Sequence, residues 1–379
     1  MKKCIIIPDS FKGTLSAIQI CDIMKKSVVA VWPDCTVITV PVADGGEGTV
    51  DCFLYALHGE KVTVAATGPF GEPIKALYAI IGDTAVIETA SCAGLPLAEG
   101  RLNPCVATTY GLGALVLDAV HKGVKQIVIG LGGSCTNDGG TGLARALGTV
   151  FFDENRKQFA PHSDEFMRIS YIDNKKTLDM LKNVKIIAMC DVDNPLTGPR
   201  GASFVFGPQK GADPATVSIL NANLAALSGS IKKDLRIDCS MVKGAGAAGG
   251  LGGGVVAFLG GTLRSGIETV LDMVGFDSML EGSDMVFTGE GRIDSQSFQG
   301  KVISGIAERT SKAHVPLTVI AGDIGDIPDD VYERGITSIF SINRKALPFS
   351  EIRKFSAEYM AKTVADVLRL YRSGETSRS

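Results

Sequence analysis

The chain has 379 residues, 45% of them hydrophobic and 21% charged, with 38 basic and 41 acidic side chains giving a formal charge of −3. That composition excludes intrinsic disorder and, at roughly 150 residues per domain, leaves chain enough for two sizeable cores. A near-neutral balance with no long basic run argues against a nucleic-acid or membrane-surface binder.

The first 60 residues read as two β-α units. Lys3–Ile7 is a short apolar strand, and Ile18, Cys21, Ile23, Met24, Val28 and Val31 form a helical stripe after it. Thr36–Val40 is a second strand, followed by a loop and a helix through Leu57 with Gly59 as its C-cap. Lys61–Ala66, Ile74–Ile81 and Thr84–Thr89 are then short strands joined by Gly/Pro turns, the pattern of an antiparallel meander and a candidate domain boundary. From 108 the β/α alternation resumes, with a helix Leu112–His121, strands Gln126–Leu131 and Val184–Cys190, and Asp213-Pro214 opening a further helix. A glycine-rich loop, Gly244–Gly254, leads into Val255–Leu259. Strands at Met285–Thr288, Leu317–Ile320 and Thr337–Ser341 alternate with a helix Lys301–Lys312. The stripe Ile352, Phe355, Tyr359, Met360, Val364, Val367, Leu368 and Tyr371 closes the chain. The ends look β/α and the middle starts antiparallel, as when one domain is inserted into another.

Glycine is over-represented, 45 of 379 against a usual ~7%, and it clusters in loops. Nine scattered cysteines without a C-x-x-C read as reduced, buried thiols of a cytosolic protein, and four dispersed histidines make no metal site. The apolar run Cys4–Ile7 is far shorter than a signal sequence, and no stretch approaches the ~20 apolar residues of a membrane span. A cytoplasmic location is therefore expected.

In open α/β sheets ligands sit outside the carboxyl ends of the strands. Six strands end there in a carboxylate, beside glycine, lysine or arginine. They deliver Asp9-Ser10-Phe11-Lys12-Gly13, Asp44-Gly45-Gly46-Glu47-Gly48, Gly132–Gly140 with Asp138, Asp191-Val192-Asp193, Gly289-Glu290-Gly291-Arg292-Ile293-Asp294, and Gly322-Asp323. Glycine lets backbone N–H groups approach an anion, carboxylates hold Mg²⁺ or accept a hydroxyl proton, and Lys or Arg stabilises a transferring phosphoryl group. These are the parts of an ATP-dependent phosphotransferase, although each loop taken singly also reads as turn chemistry. Asp191 is the best-placed base, because it directly ends an apolar strand. The pattern G-x-x-x-x-G-K-[ST] is absent, and Gly244-Ala245-Gly246-Ala247-Ala248-Gly249 matches G-x-G-x-x-G without a clear preceding strand.

Taken in order, the loops from Pro8 to Gly13, Ala43 to Thr49, Gly132 to Gly140, Asp191 to Leu196, Gly244 to Gly250 and Thr288 to Asp294 resemble the signature loops of the bacterial type-1 glycerate kinases. The resemblance covers residues 3 to about 370; Cys135 departs from it, standing where a small residue such as alanine is expected. It implies an α/β protein of two domains. One is flavodoxin-like and built from both chain ends (1–65 plus 285–379). The other is an inserted α/β domain (66–284) resembling a restriction-endonuclease-like fold, with the active site in the cleft between them. It implies phosphorylation of D-glycerate by ATP with Mg²⁺ to 2-phosphoglycerate and ADP, as in glyoxylate and glucarate metabolism, by a monomer or homodimer.

On that reading Asp191, Lys12 and Arg292 are the catalytic residues. Asp191 acts as base, and the two cations neutralise phosphoryl charge or clamp the substrate carboxylate. Ser10, Asp44, Gly45, Gly46, Glu47, Gly133, Ser134, Asn137, Asp138, Gly246, Gly249 and Glu290 are expected to bind substrate or phosphate, and Asp193 and Asp294 to hold Mg²⁺. Alternatives are a kinase making 3-phosphoglycerate, a kinase or ligase for another small hydroxy acid, a glycerate- or nucleotide-sensing protein without turnover, and a dehydrogenase. Which loop holds ATP and which holds glycerate stays open at this point.

Overall fold

The computed structural model describes residues 1–43, 45–298 and 301–376, so Asp44 and Gly300 lie outside the described residues. The chain divides into two compact units, one comprising Met1–Ala43, Asp51–His58 and Ser265–Ser379, the other Asp44–Val50 and Gly59–Arg264. The strands in chain order are β1 (Lys3–Ile6), β2 (Thr36–Thr39), β3 (Glu60–Thr67), β4 (Pro73–Ile81), β5 (Thr84–Glu88), β6 (Gln126–Gly130), β7 (Val150–Phe152), β8 (Gln158–Phe159), β9 (Tyr171–Asp173), β10 (Lys185–Met189), β11 (Thr262–Arg264), β12 (Met285–Ile293), β13 (Leu317–Ile324) and β14 (Ser338–Ser341).

The first unit is built on one parallel sheet of order β14-β13-β12-β1-β2. Counting its own strands along the chain, the order is 2-1-3-4-5, a doubly wound arrangement whose direction of winding reverses between β1 and β12. β1 is apolar throughout its buried length, with Cys4, Ile5 and Ile6 fully buried, as a parallel strand covered on both faces must be. The helix Ala17–Val31 is started by a reciprocal cap, in which Ser16 Oγ accepts from Gln19 N–H at 3.2 Å and Gln19 Oε1 accepts from Ser16 N–H at 2.9 Å. Its apolar face packs against the terminal helix Ser356–Thr376, where the expected stripe buries Tyr359, Met360, Val364, Val367 and Leu368.

Two strands of this unit run longer than their apolar residues suggest. The segment from Gly289 to Arg292, expected as a loop, continues β12, and Ala321-Gly322-Asp323 continues β13, with Glu290 opposite Ala321 and Arg292 opposite Asp323. The glycines serve close approach here rather than turning: a Cβ on Gly322 would stand 2.3 Å from the carbonyl oxygen of Gly291.

The second unit is a mixed sheet of order β11-β10-β6-β5-β4-β3 with a small antiparallel sheet β8-β7-β9 beside it. β3, β4 and β5 form the expected antiparallel meander, and β5 then pairs in parallel with β6, so the meander continues directly into the parallel strands. The glycine-rich stretch after Gly244 is not a simple loop. It enters the helix Ala247–Leu259, broken by left-handed backbone at Ala248, Gly249 and Gly250, and runs helically from Leu251. Glycine survives in that helix because the neighbouring backbone is too near for a side chain; a Cβ on Gly254 would meet the Gly139 carbonyl at 2.4 Å. Among the described residues no helix is long and apolar enough to cross a membrane.

Gly249 combines φ +66° with a Cβ position 2.0 Å from the Thr136 carbonyl oxygen. Gly249→Ala is expected to lower stability by about 2 kcal/mol or more. Gly229→Ala, at an exposed position inside the helix Pro214–Leu235 with nothing within 4 Å, is expected to raise it by about 0.5–1 kcal/mol. Urea unfolding of the two variants checks both signs.

Candidate active site

Each unit has a pocket at the carboxyl ends of its parallel strands, where the sheet leaves backbone groups and loop side chains facing outward. In the first unit a cavity of about 560 Å³ opens beyond β1, β12, β13 and β14. Asp9 follows β1 and is 7% exposed; its N–H donates to the Gly289 carbonyl at 2.9 Å and its Oδ1 accepts from Ser10 N–H at 2.6 Å. The next residues fold back on themselves, Leu15 and Thr14 N–H both donating to the Phe11 carbonyl, which leaves Ser10 half-buried and Lys12 exposed on the rim. Gly291 allows that turn to sit down on β12, since a Cβ there would lie 3.1 Å from Phe11 Cα.

Arg292 is exposed on the same rim, its Nη1 3.7 Å from Asp323 Oδ2, a loose ion pair that holds the guanidinium weakly. Glu290 beside it is half-buried, and its Oε2 is buried without a hydrogen-bond partner among the described residues. Burial pushes its carboxyl above the ordinary range, helped by Asp294, while the Ser297 hydroxyl, Lys301 and Lys12 pull it back. The cavity also has an apolar lining, from Ile342, Leu347, Phe349 and Ile352, with Phe349 61% exposed. Cations together with an uncovered aromatic suit a ligand with a phosphate chain and a flat ring.

In the second unit a smaller cavity of about 190 Å³ opens beyond β6 and β10. Gly45 and Gly46 do not line it but pack against the strand end that does: Gly132 N–H donates to the Gly45 carbonyl at 3.0 Å, and a Cβ on Gly130 would stand 2.3 Å from that oxygen. Glu47 is exposed. Gly133, at φ +73°, and Ser134 line the cavity, as does Asp191, half-buried just past the end of β10. Cys135 is 1% exposed against Ala98 and Ala107, and burial pushes its thiol up to about 11, so the departure from alanine is a packing matter.

Several expected ligand groups are occupied by the fold itself. Asp138 is 2% exposed and takes five donors: Thr109 N–H and Oγ1 at 2.8 Å each, Gly140 N–H at 3.1 Å, Gly142 N–H at 3.2 Å and Thr108 Oγ1 at 3.3 Å. It thereby serves the starts of two helices, Tyr110–His121 and Thr141–Ala146. Asn137 is fully buried and bonded to Ser203. Gly246 N–H donates to the Asn194 carbonyl, and Gly249 is pressed against Thr136, so neither glycine presents itself as a phosphate cradle. Asp193 is exposed, with Arg200 Nη2 donating to both carboxylate oxygens at 2.9 and 3.0 Å. Asp294 lies in the first unit and Asp193 in the second. No group of three or more His, Cys, Asp or Glu among the described residues is arranged to hold a metal ion.

One residue that sequence reasoning missed is Lys210. It reads as an ordinary loop lysine in Pro208-Gln209-Lys210, yet it is 2% exposed and lines the second cavity. Its Nζ donates to Thr136 O at 2.6 Å and Ser134 Oγ at 2.9 Å. Burial lowers its pKa to about 8, against the pull of Cys135 and Asp138. Nothing in the local sequence marks it, because its burial comes from a loop 74 residues earlier.

A family model described as the glycerate kinase family matches residues 4–372. The chain is similar to a Bacillus cereus protein named glycerate kinase, 41% identical over 373 residues and 98% of each chain. It is similar to an Escherichia coli protein named glycerate 2-kinase, 43% identical over 344 residues and 90% of each chain. A solved structure from Salmonella typhimurium LT2, provisionally described as glycerate kinase 2, matches with a TM-score of 0.88 at 37% identity over 99% of both chains.

Asp138→Ala strands several buried N–H and hydroxyl donors at once, and is expected to cost about 3 kcal/mol of stability. Chemical unfolding measures that loss; substrate KM values in the surviving folded protein should stay within a few-fold of the parent, because the carboxylate is enclosed by its own donors.

Proposed function

The chain belongs to the glycerate kinase family, and from that premise we propose that it transfers the terminal phosphoryl group of ATP to the C2 hydroxyl of D-glycerate, giving 2-phosphoglycerate and ADP. The two cavities divide the substrates between them. ATP takes the first, whose volume, cationic rim and exposed Phe349 suit a nucleotide, and glycerate takes the second, whose 190 Å³ suits a three-carbon acid. The observation that carries this assignment is the pairing, in one small cavity, of Asp191 with the Gly133-Ser134 turn and a buried cation. The first unit is flavodoxin-like on the strength of its 2-1-3-4-5 order, and the mixed sheet of the second supports the restriction-endonuclease-like description. We place the reaction in the cytoplasm.

Asp191 accepts the C2 hydroxyl proton as the oxygen bonds to the γ-phosphorus and the bond from phosphorus to the ADP oxygen breaks. Lys12 and Arg292 neutralise charge on the transferring group and on the departing ADP, and Ser10 adds a hydroxyl beside them. Mg²⁺ would enter with the nucleotide. The donor set fits that mode, because Mg²⁺ usually takes one or two carboxylates together with phosphate oxygens and water. Glu290, whose buried Oε2 has no partner among the described residues, and Asp294 would hold it. Asp193, already held by Arg200, is not. The metal would supply charge neutralisation on the phosphates.

Asp191→Asn is expected to lower kcat by roughly 10²–10⁴-fold with the fold intact; a near-parental rate would remove Asp191 from the base role. Product identity is read with D-glycerate, MgATP and enolase as the sole coupling enzyme. Phosphoenolpyruvate appearing with ADP is the expected result, and ADP whose conversion also needs phosphoglycerate mutase would make the product the 3-phosphate.

A further inference from the structure

We propose that Lys210 is the carboxylate anchor of the acceptor site: its ammonium group pairs with the acid group of a small 2-hydroxy acid and makes the cavity select acids over uncharged polyols and amides. The inference rests on the kinase reading for the identity of the acid, but not for the presence of an anion subsite.

A lysine is almost never fully buried unless paired, because an ammonium group loses its hydration on burial. Lys210 is 2% exposed, and no carboxylate among the described residues comes within ion-pair distance of it. Its two acceptors, Ser134 Oγ and the Thr136 carbonyl, are neutral, while an ammonium group has three N–H donors. Asp138 is near enough to act through the field, yet its oxygens are committed to Thr108, Thr109, Gly140 and Gly142. The cation is therefore held in place but has no counter-ion among the described residues.

The surroundings point to what supplies the missing charge. Lys210 lines the cavity with Gly133 and Ser134, whose backbone N–H groups have no backbone partner among the described residues. It is carried on the short turn Pro208–Lys210, ended by Gly211 at φ +94°, where a Cβ would meet the Leu102 carbonyl at 2.8 Å. The two hydrogen bonds already place the cation at the cavity, which lowers the ordering cost of binding. Asp191 lines the same cavity. A cation and a carboxylate base in so small a space match a molecule with an anionic group next to a hydroxyl. A purely structural role explains the two hydrogen bonds but not the charge, since a neutral side chain of similar length would fill the site without an unpaired buried cation.

The test compares Lys210→Met with the parent protein, using D-glycerate and glyceramide as acceptors and MgATP as donor. The expected result is a fall of about 100-fold in kcat/KM for glycerate, mostly in KM, with KM for ATP within about threefold. The preference for acid over amide should collapse to within a few-fold. An intact acid preference in Lys210→Met overturns the proposal, and so does a loss confined to KM for ATP, which would make the anion a nucleotide phosphate. The parent protein gives a second readout that needs no variant to fold. In a ¹³Cε-lysine NMR titration, the Lys210 resonance, expected to titrate near 8, should move upward by more than one pH unit with saturating D-glycerate or L-lactate, and stay in place with glycerol; an unmoved midpoint with both acids overturns the proposal. Absence of ADP formation by the parent protein would sink the kinase reading, whereas the lysine titration decides the anion subsite on its own.

Discussion

Backbone pressed directly on backbone is the constraint from which the second unit is built. Gly130 and Gly132 meet Gly45 and Gly46, Gly249 meets Thr136, and Gly254 meets Gly139, each so closely that a methyl group would stand 2.0–2.5 Å from main-chain atoms. These contacts pin the loop Gly132–Gly140 from two sides. The cavity at the ends of β6 and β10 takes its shape from that packing. The abundance of glycine, a destabilising composition for a flexible chain, is here the condition for close packing.

The buried charges sort by whether the fold satisfies them. Asp138 has five donors and works as structure, tying two helix starts to one loop. Among the described residues Lys210 has two neutral acceptors and no counter-ion, and Glu290 keeps one buried oxygen without a hydrogen-bond partner. In a low-dielectric setting an incompletely satisfied group is costly, and a ligand that completes it recovers that cost. Both incomplete groups line cavities, one in each unit, at the strand ends where α/β sheets bind their ligands.

Much of the strand framework was legible because buried parallel strands must be apolar along their whole length. Residues 4–6, 127–130 and 186–189 announce themselves in that way, and the carboxylates Asp9 and Asp191 stand just beyond such runs. Glycine is the ambiguous letter. Gly289, Gly291 and Gly322 look like turn residues in sequence but lie inside β12 and β13, and Gly252 to Gly254 lie inside a helix. The letter is the same whether glycine provides a positive φ or merely the absence of a side chain, and only the neighbour across the gap tells the two apart.

The sequence by itself determined the α/β alternation, the antiparallel meander, the family resemblance carried by six ordered loops, and the strand-end positions of Asp9 and Asp191. Each of those follows from local periodicity or from a motif written in consecutive residues. The tertiary structure alone decided that Asp138 and Asn137 are consumed by the fold, that Asp193 is taken by Arg200, and that a loop lysine at 210 is buried under Ser134 and Thr136. Burial and the satisfaction of a polar group are properties of what lies across space, supplied here by residues up to 76 positions away, and no local pattern records them.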